Sequence, residues 1–232
     1  MLESFVDTPM FGFCLTFVAY QIGLWISRKL KSPIFNPLII AILIIMGVLT
    51  VFDIPYEVYN QGGSVISFFL GPATVALAIP LYRQLHVLKE SGFSVAAGIF
   101  VGSIASVISV IYLGKLFGLD SQLITSLAPK SVTAAISREI SQQLNGLPAL
   151  TVACTVLTGI TGNVIGPYVC QFFKIKDPLA MGTALGTASH AIGTARAMQY
   201  GEIEGAMGSL SISVAGIITV FIAPLLVGLL VG

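Results

Sequence analysis

In SLAPKSVTAAIS, residues 126–137, a proline and a lysine interrupt a segment otherwise suited to hydrocarbon. Proline removes a backbone donor and clashes with the preceding turn, so Pro129 is expected to open a new half-helix. A lysine deep in a membrane segment costs about 2.5–3.5 kcal/mol on insertion scales. A carboxylate, a watery cavity or a bound anion must offset that cost at Lys130. The alternatives are that Lys130 snorkels to an interface or that the segment is a surface helix. Ser131 and Thr133 add hydroxyls beside it, suited to a small polar ligand or to helix backbone.

The surroundings of this stretch are overwhelmingly apolar. Of 232 residues, 56% are hydrophobic and 9% charged, against roughly 25% charged in a soluble domain. Mean hydropathy is +0.96. These values exclude a soluble globular enzyme and a disordered chain, and a net charge of +1 provides no basic field for nucleic acid. The expected class is all-α, a polytopic membrane protein forming one transmembrane domain over 1–232. Six segments are plainly apolar: 9–26, 33–52, 64–82, 91–114, 147–172 and 205–231. Two more, 121–145 and 178–200, are long enough to cross but polar, so six to eight crossings are expected. Either polar segment could cross fully or be re-entrant. Arg28, Lys29, Lys31, Arg83 and Lys89 alternate with the acidic loop of Asp53 and Glu57. That pattern places the N-terminus outside and leaves the side of the C-terminus open. An N-terminus with Glu3 and Asp7 and no basic residue argues against a cleaved signal. Cys14, Cys154 and Cys170 lie in apolar runs with no metal spacing and read as packing residues.

A gapless shift of 57 residues lays 64–108 over 121–165 with eleven identities, centred on GPATVALAI (71–79) over APKSVTAAI (128–136). The expected repeat unit is one interrupted helix followed by one continuous helix. Copies fall at 64–116 and 121–173, with a weaker third at 178–231. Equivalent helices interrupted by Gly or Pro point to a transporter site, because broken backbone is tolerated only in protein or beside water.

The densest polar signal is LGTASHAIGTARA, residues 185–197. His190 is the one intramembrane group that titrates near neutrality, with an ordinary pKa near 6.5. Arg196 offers a planar fork for a carboxylate. The two do not share a face of an unbroken helix, so a break at Gly193 is expected to bring them together. The structural alternative is a packed histidine and an arginine at the membrane edge. The expected site brings Pro72 and Pro129 to this stretch near the midplane. Lys130 or Arg196 neutralises a carboxylate, while Thr74, Ser131, Thr133, Ser189 and Thr194 orient it and His190 carries a proton. Gly98, Gly102 and Ser106, like Gly159, Gly162 and Gly166, read as helix-packing stripes. No catalytic triad, metal motif or phosphate loop appears. The reading is therefore a non-enzyme with neither cofactor nor metal.

The stretches GPATVALAIPLYRQL (71–85), APKSVTAAI (128–136) and MGTALGTASHAIGTARA (181–197) resemble signatures of the LrgB/CidB family over nearly the whole chain. The resemblance implies a multi-pass protein of the bacterial inner membrane, with a separate LrgA/CidA-type small membrane protein as partner. It implies one of two functions. One is carriage of small monocarboxylates such as glycolate, glycerate or pyruvate, with possible proton coupling. The other is holin- or antiholin-like modulation of murein hydrolase activity and lysis. The small-residue faces add an expected homo-oligomer in membrane lipid.

Overall fold

The computed structural model describes residues 8–30, 36–69, 72, 75, 78–83 and 85–231. Among them every regular element is an α-helix: α1 Pro9–Leu30, α2 Pro37–Val51, α3 Tyr56–Phe68, α4 Ala78–Arg83, α5 Leu85–Leu116, α6 Ser121–Leu127, α7 Ala134–Gln143, α8 Pro148–Phe172, α9 Pro178–Ala197 and α10 Glu202–Leu230. Among the described residues four stretches are long and apolar enough to cross a membrane: Pro9–Leu30, Gly92–Leu116, Pro148–Phe172 and Glu202–Leu230. Large side chains such as Phe93, Phe172 and Phe221 stand outward, a surface suited to lipid rather than water. The chain forms two compact units, Met1–Ala76 and Leu77–Gly232.

In the first unit α1 packs on α2 and α3 through glycine. A Cβ at Gly12 would strike the Tyr59 carbonyl, and one at Gly23 would lie 2.5 Å from the Pro37 carbonyl. Thr16 and Tyr59 join hydroxyls at 2.9 Å across the same seam. Asn36 caps α2, its side chain accepting from Leu38 N at 2.8 Å, with Pro37 in the first turn. The apolar run expected from residue 64 begins as a helix at Tyr56 instead. Pro55 is set in extended backbone before it, and the polar first turns YEVYNQ hid the helix from an apolarity reading.

In the second unit both polar segments are broken helices. Segment 121–145 divides into α6 and α7, with the break at 128–133. Pro129 does not open the second half. It sits within the turn, and α7 starts at Ala134 because Thr133 is extended and its hydroxyl accepts from Ile136 N at 3.4 Å. In α9 the break falls at Ser189 (φ −136°, ψ 18°) and His190 (φ 45°, ψ −137°), not at Gly193. Gly193 is helical and buried beneath the kink, where a Cβ would run into the Leu185 carbonyl. Its small size lets the two halves fold closely.

Asp120 and Asp177 cap α6 and α9 in the same manner, accepting from Leu123 N at 2.7 Å and Ala180 N at 2.9 Å. Each broken segment is followed by a long helix with an internal proline, Pro167 in α8 and Pro224 in α10. Helix α9 is held between those two. Gly159, Gly162 and Gly166 of α8 meet His190, Ser189 and Leu185 in turn, an antiparallel register. Gly182 and Gly186 meet the backbones of Glu204 and Gly208. Glycine removes the Cβ that would hold these axes apart.

Candidate functional site

The first break exposes Lys130 between a buried Pro129 and a half-buried Ser131. Backbone bonds from Lys130 N to Leu127 O (3.1 Å) and from Val132 N to Pro129 O (3.4 Å) turn the chain there. Lys130 Nζ donates to Ser131 Oγ at 3.5 Å, and Ser131 Oγ lies 2.7 Å from Ser106 Oγ on α5. Among the described residues no carboxylate stands within ion-pair distance of Lys130; the ion pair found is Arg83 with Glu202, both exposed. The ammonium is thus served by hydroxyls, which solvate it without cancelling its charge.

The second break is buried. Ser189 and His190 are 2% and 5% exposed, and His190 Nε2 lies 2.9 Å from the Thr155 carbonyl on α8. Behind it, buried hydroxyls tie the first broken helix to α8. Thr155 donates to Ser137 at 3.0 Å, Thr151 lies 2.7 Å from Ser141 Oγ and 2.9 Å from Ser126 O, and Ser126 Oγ receives Leu147 N at 2.7 Å. Pairing of this kind is what a broken helix needs where water is excluded.

Two cavities flank the breaks. One, of about 950 Å³, is walled by Gly98 and Gly102 of α5, Lys130 and Ser131, and Thr183 and Ala188 of α9. The other, of about 450 Å³, is walled by Leu127 and Lys130, Cys154 and Thr158 of α8, Gly162 and Ser189. A third, enclosed space of about 10 Å³ is lined by Ser103, Ser106, Ser131 and Thr187, room for about one water.

The structure therefore gathers Pro129, Lys130, Ser131, Thr133, Ser189 and His190 around two facing helix breaks. It does not bring Arg196 there. Arg196 closes the last turn of α9, donates to Gln199 Oε1 at 2.6 Å and stacks on Tyr200 with 5.3 Å from its Cζ to the ring centre. Thr194 is fully buried against Gly208, its hydroxyl without a partner. Pro72 is exposed, and Thr74 lies outside the described residues. Sequence reasoning missed Ser103 and Thr183, read Ser106 only as part of a packing stripe, and gave Thr187 no role within the polar run 185–197. The hydroxyls of Ser103, Thr183 and Thr187 are buried without a partner beside the cavities. Their signal was the four-residue spacing of Gly98, Gly102 and Ser106: the first two leave room for the methyls of Thr183 and Thr187. No group of three or more metal-ligating side chains occurs among the described residues.

This arrangement sits in a recognisable sequence context. The model of the LrgB-like family matches residues 16–229. Antiholin-like protein LrgB of Bacillus cereus (strain B4264) is 40% identical over 219 residues, covering 94% of this chain and 95% of the relative. The protein of the same name from Bacillus anthracis (strain CDC 684 / NRRL 3495) is similar to the same extent. No solved structure matches the chain significantly. With the family model spanning most of its length and relatives at this identity, the chain belongs to the LrgB-like family.

Proposed function

We propose that the chain acts as an antiholin-like protein of the bacterial inner membrane, restraining lysis together with a separate LrgA/CidA-type membrane protein. The names of the relatives carry this reading and favour it over carriage alone. Expression of the chain in a bacterial strain lacking its own LrgB-like protein tests it. Detergent-induced autolysis should slow severalfold, and only with the small partner present. Unchanged autolysis with both proteins expressed rejects it.

A second reading is supported by one observation, a lysine in a helix break on a cavity wall with no carboxylate within ion-pair distance among the described residues. On this reading the chain is a saturable carrier of small monocarboxylates, with Lys130 as counter-charge. The matching caps of α6 and α9, 57 residues apart, and the prolines of α8 and α10 at the same spacing support repeat units at 121–173 and 178–231. On this reading the six apolar segments cross the membrane, N-terminus outside, and counting both broken helices as crossings raises the total to eight. Uptake of labelled pyruvate or glycolate into proteoliposomes should saturate and be competed by analogues. Linear, uncompeted entry would indicate a pore, and no entry above empty vesicles would remove the carrier.

A further inference from the structure

Lys130 stands on the wall of both large cavities. The second break lines the smaller cavity through Ser189, and Ala188, the helical residue just before it, lines the larger. The larger cavity lies along the N-terminal half of α9, whereas the smaller lies along α8 and touches α9 at Ser189. The larger runs from Asp177, at the start of α9, to Ala188 at its break. The smaller runs along α8 from Gly162, which faces Ser189, back to Cys154. Because α8 and α9 are antiparallel, that direction leads away from Asp177 toward the C-terminal end of α9. The larger cavity carries two charged side chains, Lys130 and Asp177, and the smaller carries Lys130 alone. Thr183 and Thr187, each at least nine-tenths buried with an unpartnered hydroxyl, stand on the wall of the larger cavity. A buried polar group left unpaired costs about 1–3 kcal/mol, so this wall has hydrogen-bonding capacity for an occupant.

We infer that the two helix breaks form one septum between two vestibules, and that Lys130, reachable from both, is the single counter-charge over which a small monocarboxylate passes. This deepens the carrier reading and rests on it. One shared cation suits transit: the anion leaves one vestibule for the other without being desolvated between two separate charges, and a single ion pair can be released.

The test uses thiol protection in the full chain, reconstituted in vesicles, with Cys14 and Cys170 replaced by alanine. Cys154 then reports the smaller vestibule. Thr183→Cys, made with Cys154→Ala, reports the larger. A membrane-impermeant anionic methanethiosulfonate should label the two reporters from opposite faces. Pyruvate should slow labelling at both by at least fivefold, with the same half-saturating concentration. Lys130→Gln should abolish protection at both, while a neutral reagent still labels each at the parent rate, showing intact folding. Should Lys130→Gln not fold, Lys130→Arg keeps the charge and should retain protection at both. Labelling of both reporters from one face, protection at one reporter only, or protection that survives Lys130→Gln overturns the shared septum while leaving anion binding, and the carrier, in place. Protection at neither reporter by pyruvate, glycolate or glycerate removes the carrier reading and this inference with it.

Discussion

His190 Nε2 lies 2.9 Å from the carbonyl oxygen of Thr155, so a residue with φ of 45° is tethered to the helix that α9 crosses. A carbonyl can only accept, so Nε2 carries the proton and donates it. The hydrogen bond offsets a backbone conformation that a side chain disfavours. His190→Gly should relieve the backbone strain but lose the tether, and His190→Ala should lose the tether and keep the strain. Denaturation in detergent should rank parent above His190→Gly, and His190→Gly above His190→Ala by about 1 kcal/mol. An alanine variant as stable as the glycine variant would show that the break is not strained.

The same residue separates structure from proton coupling. Glutamine can donate to Thr155 but does not titrate between pH 5 and 8. If His190 takes up the coupled proton, parent uptake should rise as pH falls through that window, because the added positive charge favours anion binding. His190→Gln should fold normally and show a flat profile. A parent-like profile in His190→Gln would confine His190 to the tether.

The α8–α9 seam depends on absent side chains. A Cβ at Gly159 would lie 2.6 Å from His190 Cε1, and one at Gly162 would run into the Ser189 side chain. Gly159→Ala should cost about 1–3 kcal/mol, as overpacking does. Gly162→Ala should cost more. Gly47→Ala in α2 meets nothing within 4 Å and should be neutral or stabilising by about 0.5–1 kcal/mol. Equal effects at the three positions would contradict the packing.

Two buried threonine hydroxyls should behave oppositely. Thr151 bridges Ser126 and Ser141, so Thr151→Val should destabilise by about 1–3 kcal/mol. Thr187 has no hydrogen-bond partner, so Thr187→Val should leave stability unchanged or raised while weakening uptake. Loss of stability in both would mean that Thr187 has a structural role.

The caps of the two broken segments should respond in parallel. Asp120→Ala and Asp177→Ala should each cost about 0.5–2 kcal/mol, and asparagine at either position should be nearly neutral. Asp177→Asn should also raise anion affinity from the larger vestibule by removing the acid on its wall. Uptake unaffected by Asp177→Asn from that side would place Asp177 outside the anion's route.

Composition and the lengths of the apolar segments determined the class of this protein. A chain so poor in charge must bury its helices in lipid, and hydropathy depends on residue type alone. The interruption near Pro129 was legible for the same reason: proline and a lysine flanked by hydroxyls are local signals. The position of each break was not local. Thr133, not Pro129, starts α7 because its hydroxyl reaches Ile136 N, and Ser189–His190, not Gly193, bends α9 because the Thr155 carbonyl on α8 tethers the imidazole. The site divided along the same line. Lys130 was found from the cost of its charge, but Arg196 was grouped with it by sequence proximity to His190, and its guanidinium turns instead to Gln199 and Tyr200. Thr183 passed unnoticed, and Thr187 was read only as part of the polar run 185–197, because a threonine in a helix usually bonds its own backbone. That theirs do not, and that Lys130 touches two cavities, follows from how α5, α8 and α9 pack, which residue types do not encode one position at a time.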